Sequence, residues 1–293
     1  MTDSRPEGLR FYSPTKVNVP SKVAIVKGER SVSTVTKALE LIGGVDEFSD
    51  RPVLIKVNLI ASKRWYKGVT TDPVVVEGLI RAFKNVNENV FVVESDSTIT
   101  DADRAAQVSG IHDICGQYNV PFVNLRRAGE MVAVQVENHD ALSSIALPKL
   151  VINSYVVSAA KMKTHVDTQV TLGMKNMFGL ISDKFKLKYH FMHSIDEVIV
   201  DVNTAIRPVL TVIDGFIAME GKGPINGKPV KMDMIIAGKD VVATDAVASR
   251  VMGFDPRLIY HINRAAEKGL GFIDGYEVVG ESVEGVARKF RRP

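Results

Sequence analysis

The chain alternates between short, continuously apolar runs and longer segments whose apolar positions recur at helical spacing. Lys22 to Val26 predicts a first strand. Ser31 to Leu41 carries Val32, Val35, Leu39 and Leu41 near a 3.6-residue period, with Gly43 and Gly44 where a helix should stop. The unit repeats: Val53 to Val57 is apolar apart from Lys56, Pro73 opens a helix through about Phe83, and Val90 to Val93 is a second β-branched run. A helix from Ala102 to about Tyr118, followed by Phe122 and Val123, extends this to a βαβαβαβ wrap. Continuous rather than alternating apolarity marks strands covered on both faces, so the pattern predicts an α/β fold with a mostly parallel sheet flanked by helices.

Residues 131 to 152 have a different texture, with Val132, Val134 and Val136 alternating against polar neighbours as in a half-exposed antiparallel pair. Val151 to Val157 is apolar again. Helical patterns follow at Val170 to Phe178, Ile195 to Ile206, Val241 to Val251 and Leu258 to Lys268, with strands at Val209 to Ile213 and Met234 to Ala237. The expected organisation is an irregular arm over residues 1–20, one α/β domain over 21–283 in two lobes of about 21–130 and 131–283, and a basic tail over 284–293.

Composition narrows this picture. Hydrophobic residues make up 45% and charged residues 24% of 293, which excludes a largely disordered chain. The single cysteine, Cys115, excludes an intramolecular disulfide and thiolate-rich metal sites, so an iron-sulfur cluster is not expected and Cys115 reads as a small buried hydrophobe. Arg5, Glu7, Arg10 and Lys16 break up the first twenty residues, and nowhere do about 18 apolar residues run together. The expected address is the cytoplasm, with no membrane contact. A net charge of +3 favours anionic ligands but is too small to announce nucleic acid.

In open parallel sheets ligands bind beyond the carboxyl ends of the strands, so the polar residues there are the candidates for chemistry. Lys56 and Asn58 share a side at one such end, and Glu94 and Asp96 at the next. Lys161, Lys163 and His165 project together if their segment continues the preceding strand. Two ammonium groups on one face repel unless something anionic lies between them. Asp214 follows Val209 to Ile213, and with Glu94 and Asp96 it offers oxygen ligands for a hard divalent cation such as Mg²⁺.

Thr168, Thr171 and Lys175 fall at i, i+3 and i+7 on one stripe of the helix expected there, whose start offers N–H groups to an oxyanion. Val170, Met174 and Met177 form a core-facing stripe. His190 and His193, three apart, suit a metal only with a third ligand. Gly221, Gly223 and Gly227 do not follow a strand and open a helix, so they shape an irregular loop near the site rather than a dinucleotide fingerprint. Asp245, among small residues in a helix, is expected to be paired or to face the cleft.

Ile55 to Asn58, Thr70 to Pro73, Glu94 to Ser97, Lys161 to His165, Thr171 to Gly179, Asp214 to Gly227 and Ala243 to Ser249, taken together, resemble the domain of unknown function 362 family, DUF362. The resemblance implies an intracellular α/β protein with a redox association, because many relatives carry a ferredoxin-like segment with iron-sulfur cysteines. This chain lacks those cysteines, so an electron-transfer role requires a redox partner or another cofactor. Thr71, Asn176 and Gly223, inside the quoted motifs, join the candidate ligand contacts.

The leading expectation is therefore an enzyme for a small anionic substrate or cofactor. Lys56, Lys161, Lys163 and Lys175 neutralise the guest, His165 acts as general acid or base, and Asn58 and Thr171 supply polar contacts. One alternative is an accessory protein in redox or metallocofactor assembly, docking an iron-sulfur partner through Lys184, Lys186 and Lys188. The other is nucleic-acid binding through the same lysines, which ranks last because only Phe185 and Tyr189 accompany them as stacking aromatics.

Overall fold

The computed structural model describes residues 21–183, 186, 189 and 194–293. Its first four strands are the apolar runs of the sequence: β1 (Lys22–Lys27), β2 (Val53–Lys56), β3 (Val90–Glu94) and β4 (Phe122–Asn124). A separate antiparallel hairpin, β5 (Met131–Gln135) with β6 (Ser144–Pro148), follows where the texture changes. Then come β7 (Tyr155–His165), β8 (Gln169–Thr171), β9 (Leu210–Glu220), β10 (Lys228–Lys231), β11 (Met234–Gly238) and β12 (Glu277–Gly280).

Among the described residues, ten strands form one mixed sheet in the order β12-β1-β11-β9-β7-β2-β3-β4, with β10 beside β9 and β8 beside β7. The run β9-β7-β2-β3-β4 is parallel throughout. Helices cover both faces, and the two large apolar clusters on either side are built from residues across the whole chain. The sheet is continuous across the 130/131 boundary.

Four sequence expectations are corrected. β1 does not adjoin β2: it lies beyond β9, antiparallel to β11 and parallel to β12, because its partners come from the far end of the chain. The helix expected over Ala102 to Tyr118 is two helices, Ala102–Ser109 and Ile111–Gln117, broken where Gly110 adopts φ +89°, a conformation glycine supplies without steric cost. The helix expected from Val170 begins only at Gly173 and ends at Met177. Gln169–Thr171 folds back as a strand, with His165 opposite Gln169 and Lys163 opposite Thr171. The strand expected to end at Ile213 runs on to Glu220, so Asp214 lies inside β9 and not at its tip.

Cys115 is buried, as its reading as a small hydrophobe requires. At the carboxyl end Arg288, Lys289, Arg291 and Arg292 are exposed, but Phe290 is buried in the core and its N–H donates to Met252 O. The basic tail is thus anchored. His190, His193, Lys184, Phe185 and Lys188 lie outside the described residues.

Candidate functional site

At the carboxyl ends of β2, β3 and β7 a cavity of about 290 Å³ opens, and most of the candidate residues line it. β7 is the reason. Its eleven residues are all buried, and its far end continues the strand through Lys163 and His165 into the cavity wall. The antiparallel register of β7 with β8 places Thr171 directly beside Lys163.

Lys56, at the end of β2, is fully engaged within the protein. Its Nζ lies 2.7 Å from Glu94 Oε1 and donates to Val57 O at 2.6 Å and to Asn176 Oδ1 at 3.3 Å. Burial lowers the Lys56 amine below its ordinary range, and the Glu94 carboxylate acts against that shift. Asn176 ties the floor together: its Nδ2 donates to Lys56 O and Ser158 Oγ, while its Oδ1 also accepts from Asn58 Nδ2. Glu94 in turn accepts from the backbone N–H of Leu59 and Ser95.

Lys163 donates to Asn58 Oδ1 at 2.8 Å and Val69 O at 2.7 Å. Those two bonds need only the two N–H groups of a neutral amine. Burial first, then the ammonium groups of Lys161 and Lys175, push the Lys163 amine well below its usual range. Lys175 projects over the Phe178 ring, 4.7 Å from its centroid, and makes no hydrogen bond or ion pair among the described residues. Burial brings its amine down to about 8. The hydroxyl of Thr171, 3% exposed and lining the same cavity, likewise has no hydrogen-bond partner among the described residues.

His165 Nδ1 accepts the backbone N–H groups of Asp167, at 3.1 Å, and Thr168, at 3.4 Å. A neutral ring held this way carries its proton on Nε2, an assignment that follows from the hydrogen-bond network.

Lys186 was not among the sequence candidates for this site. Expected as part of a basic run that docks a partner, it is instead buried against the cavity, with its Nζ 2.5 Å from Ser95 Oγ. Ser95 in turn donates to Gly179 O. Burial lowers the Lys186 amine to about 7. The docking run therefore loses its central lysine to the cavity. The signal in the sequence was Lys186 itself, a cation a few positions after Leu180 and Ile181, but nothing local separates a buried lysine from an exposed one.

The structure does not bring the remaining candidates to the cavity wall. Lys161 is buried behind it and pairs with Asp214 at 2.7 Å, the residue directly opposite on β9. Asp214 also accepts the N–H of Asp72, whose carboxylate holds Arg30 at 2.7 Å and caps the helix Pro73–Lys84. Thr71 accepts from Asn58 N and donates to Ala159 O, so it pins β2 to β7. Gly223 packs on Thr164, where a β-carbon would lie 1.9 Å from the carbonyl oxygen, and its neighbours Pro224 and Ile225 reach the cavity instead.

The carboxylates expected to share a cation do not converge. Glu94 is on the wall with Lys56, Asp214 belongs to Lys161, and Asp96 turns away to accept from Ala102 N and Asn124 Nδ2 beside Arg126. Among the described residues no three of His, Cys, Asp and Glu gather as metal ligands. The helix start that was to offer N–H groups to a guest is already occupied, because Asp245 accepts from Gly173 N at 2.7 Å and Met174 N at 2.8 Å. Burial raises the Asp245 carboxyl to about 7 against those bonds.

The fold and cavity define an α/β protein with buried lysines gathered at the carboxyl edge of a parallel sheet. The chain belongs to the DUF362 family, a domain of unknown function, which matches residues 53–250. It is 29% identical over 248 residues to the thylakoid-associated protein sll1697 of Synechocystis sp. (strain ATCC 27184 / PCC 6803 / Kazusa), covering 82% of this chain and 75% of that protein. No solved structure matches the chain. Among the described residues no helix is long and apolar enough to cross a membrane.

Proposed function

We propose that the chain is an enzyme that binds a small anionic substrate or cofactor in this cavity, with Lys175, Lys186 and Lys163 meeting its charge and His165 donating a proton. The observation that carries the reading is a pair of donors that meet no acceptor among the described residues, the Lys175 amine and the buried Thr171 hydroxyl, both lining this one cavity. Buried polar groups are nearly always hydrogen-bonded, so such a pair calls for a guest bearing acceptor atoms. The electrostatics agree. Four lysines line the cavity against Glu94 and Asp167, and with Lys56 spent on Glu94 the three remaining amines outnumber the remaining carboxylate.

An anion arriving here pulls the depressed amines back to ammonium, so binding takes up protons from solution. Calorimetric titration with phosphate, pyrophosphate, malonate and citrate near pH 8, in two buffers of different ionisation enthalpy, should find a binder whose heat reports proton uptake. Lys175→Met should weaken that binder roughly ten- to hundredfold, the usual cost of losing a hydrogen bond to a charged group. Failure of every anion to bind below about millimolar concentration, or affinity indifferent to Lys175, overturns the reading.

A further inference from the structure

Buried lysines and exposed apolar side chains line the same cavity. Lys56, Lys163, Lys175 and Lys186 are all buried at its floor. The exposed lining of the cavity carries large apolar side chains, Ile99 81% exposed and Val166 56% exposed, beside the exposed Thr98 and Asp167. Pro224 and Ile225 complete that rim on the glycine loop, and Ile60 and Ile225 both pack on a small apolar cluster of Ala61, Val69 and Met219. The rim is therefore backed by packed residues.

A site for a bare oxyanion has no use for such a rim. Exposed apolar groups bordering a cleft mark a surface completed by a partner or ligand. The volume agrees, since about 290 Å³ is close to the lower bound of small-molecule pockets and well above what one oxyanion fills.

We propose that the guest is amphipathic, an anionic head on a short apolar chain, with the head on the lysine floor and the chain along Ile99, Val166 and Ile225. The inference rests on the anion-binding reading above and adds the chain. Each methylene buried along the rim strengthens binding about fourfold, until the chain outgrows the cavity.

The test titrates the full-length protein with methyl, butyl, hexyl and octyl phosphate below their micelle concentrations, with butanoate, hexanoate and octanoate, and with hexylammonium. Affinity should climb with chain length in the phosphate or the carboxylate series, the steeper series identifying the head, while hexylammonium binds poorly. The double substitution Ile99→Ser with Val166→Ser, at exposed positions that do not threaten folding, should shrink the hexyl-to-methyl affinity ratio. Binding that is equal at every chain length in both the phosphate and the carboxylate series overturns the amphipathic assignment and leaves the anion reading standing. Absence of binding by any phosphate or carboxylate, or equal binding of hexylammonium, overturns both.

Discussion

A β-carbon placed on Gly179 would lie 2.5 Å from Lys56 Nζ and 2.9 Å from Glu94 Oε1. The residue sits on the cavity wall, and its carbonyl accepts the Ser95 hydroxyl that in turn meets Lys186. Both contacts depend on the backbone coming this close to the floor. Gly179→Ala should wedge the buried ion pair apart and shift Ser95, at a cost of about 1–3 kcal/mol, the usual penalty of overpacking a filled site. Chemical denaturation of the variant reads that loss. An unchanged midpoint would mean that Lys56 and Glu94 are held less tightly than their geometry indicates.

The elements that carry the site differ in how readable they were. β2, β3 and β7 announce themselves because strands buried on both faces need unbroken apolar runs, and Lys56, Glu94 and Lys163 stand out as the charges that interrupt them. The segment from Thr168 to Met177 misleads for a physical reason: a three-residue return strand and a five-residue helix, placed end to end, reproduce the spacing of one amphipathic helix. The pairing of Lys161 with Asp214 spans 53 positions and is set by sheet order, which local pattern does not encode. The same holds for Asp245, whose expected pairing is met by backbone N–H groups 71 and 72 residues away. Asp245→Ala should unseat the Gly173–Met177 helix, because two buried N–H groups lose their acceptor at about 1–3 kcal/mol each. Hydrogen exchange of the Gly173 and Met174 amides, slow in the parent and fast in the variant, is the direct readout.

At the scale of the whole molecule the buried lysines make stability depend on pH in an unusual direction. Burial lowers the Lys175 amine to about 8 and the Lys186 amine to about 7, against an ordinary 10.5. Between those limits the unfolded chain holds more protons than the folded one, so stability rises with pH. Lys56 and Lys163, also lowered, act in the same sense. Asp245 acts oppositely, but only at lower pH: with its carboxyl raised from 3.8 to about 7, its contribution is present in acid and is gone once pH passes 7. Tyr260 and Tyr276, both raised, start to count only near 10. Asp214 and Asp240, also raised by burial, oppose the rise, but four lowered lysines favour it, so the thermal midpoint of the ligand-free protein should climb from pH 7 to 9 at constant ionic strength. Lys175→Met removes one of those titrations and should flatten the upper half of the climb. An anion bound on the cavity floor should flatten it too, because it restores the ammonium forms in the folded state. A midpoint that stays level or falls from pH 7 to 9 in the ligand-free protein would show that these amines keep their protons without a guest, and the cavity would then need an internal counter-charge that Glu94 and Asp167 do not supply.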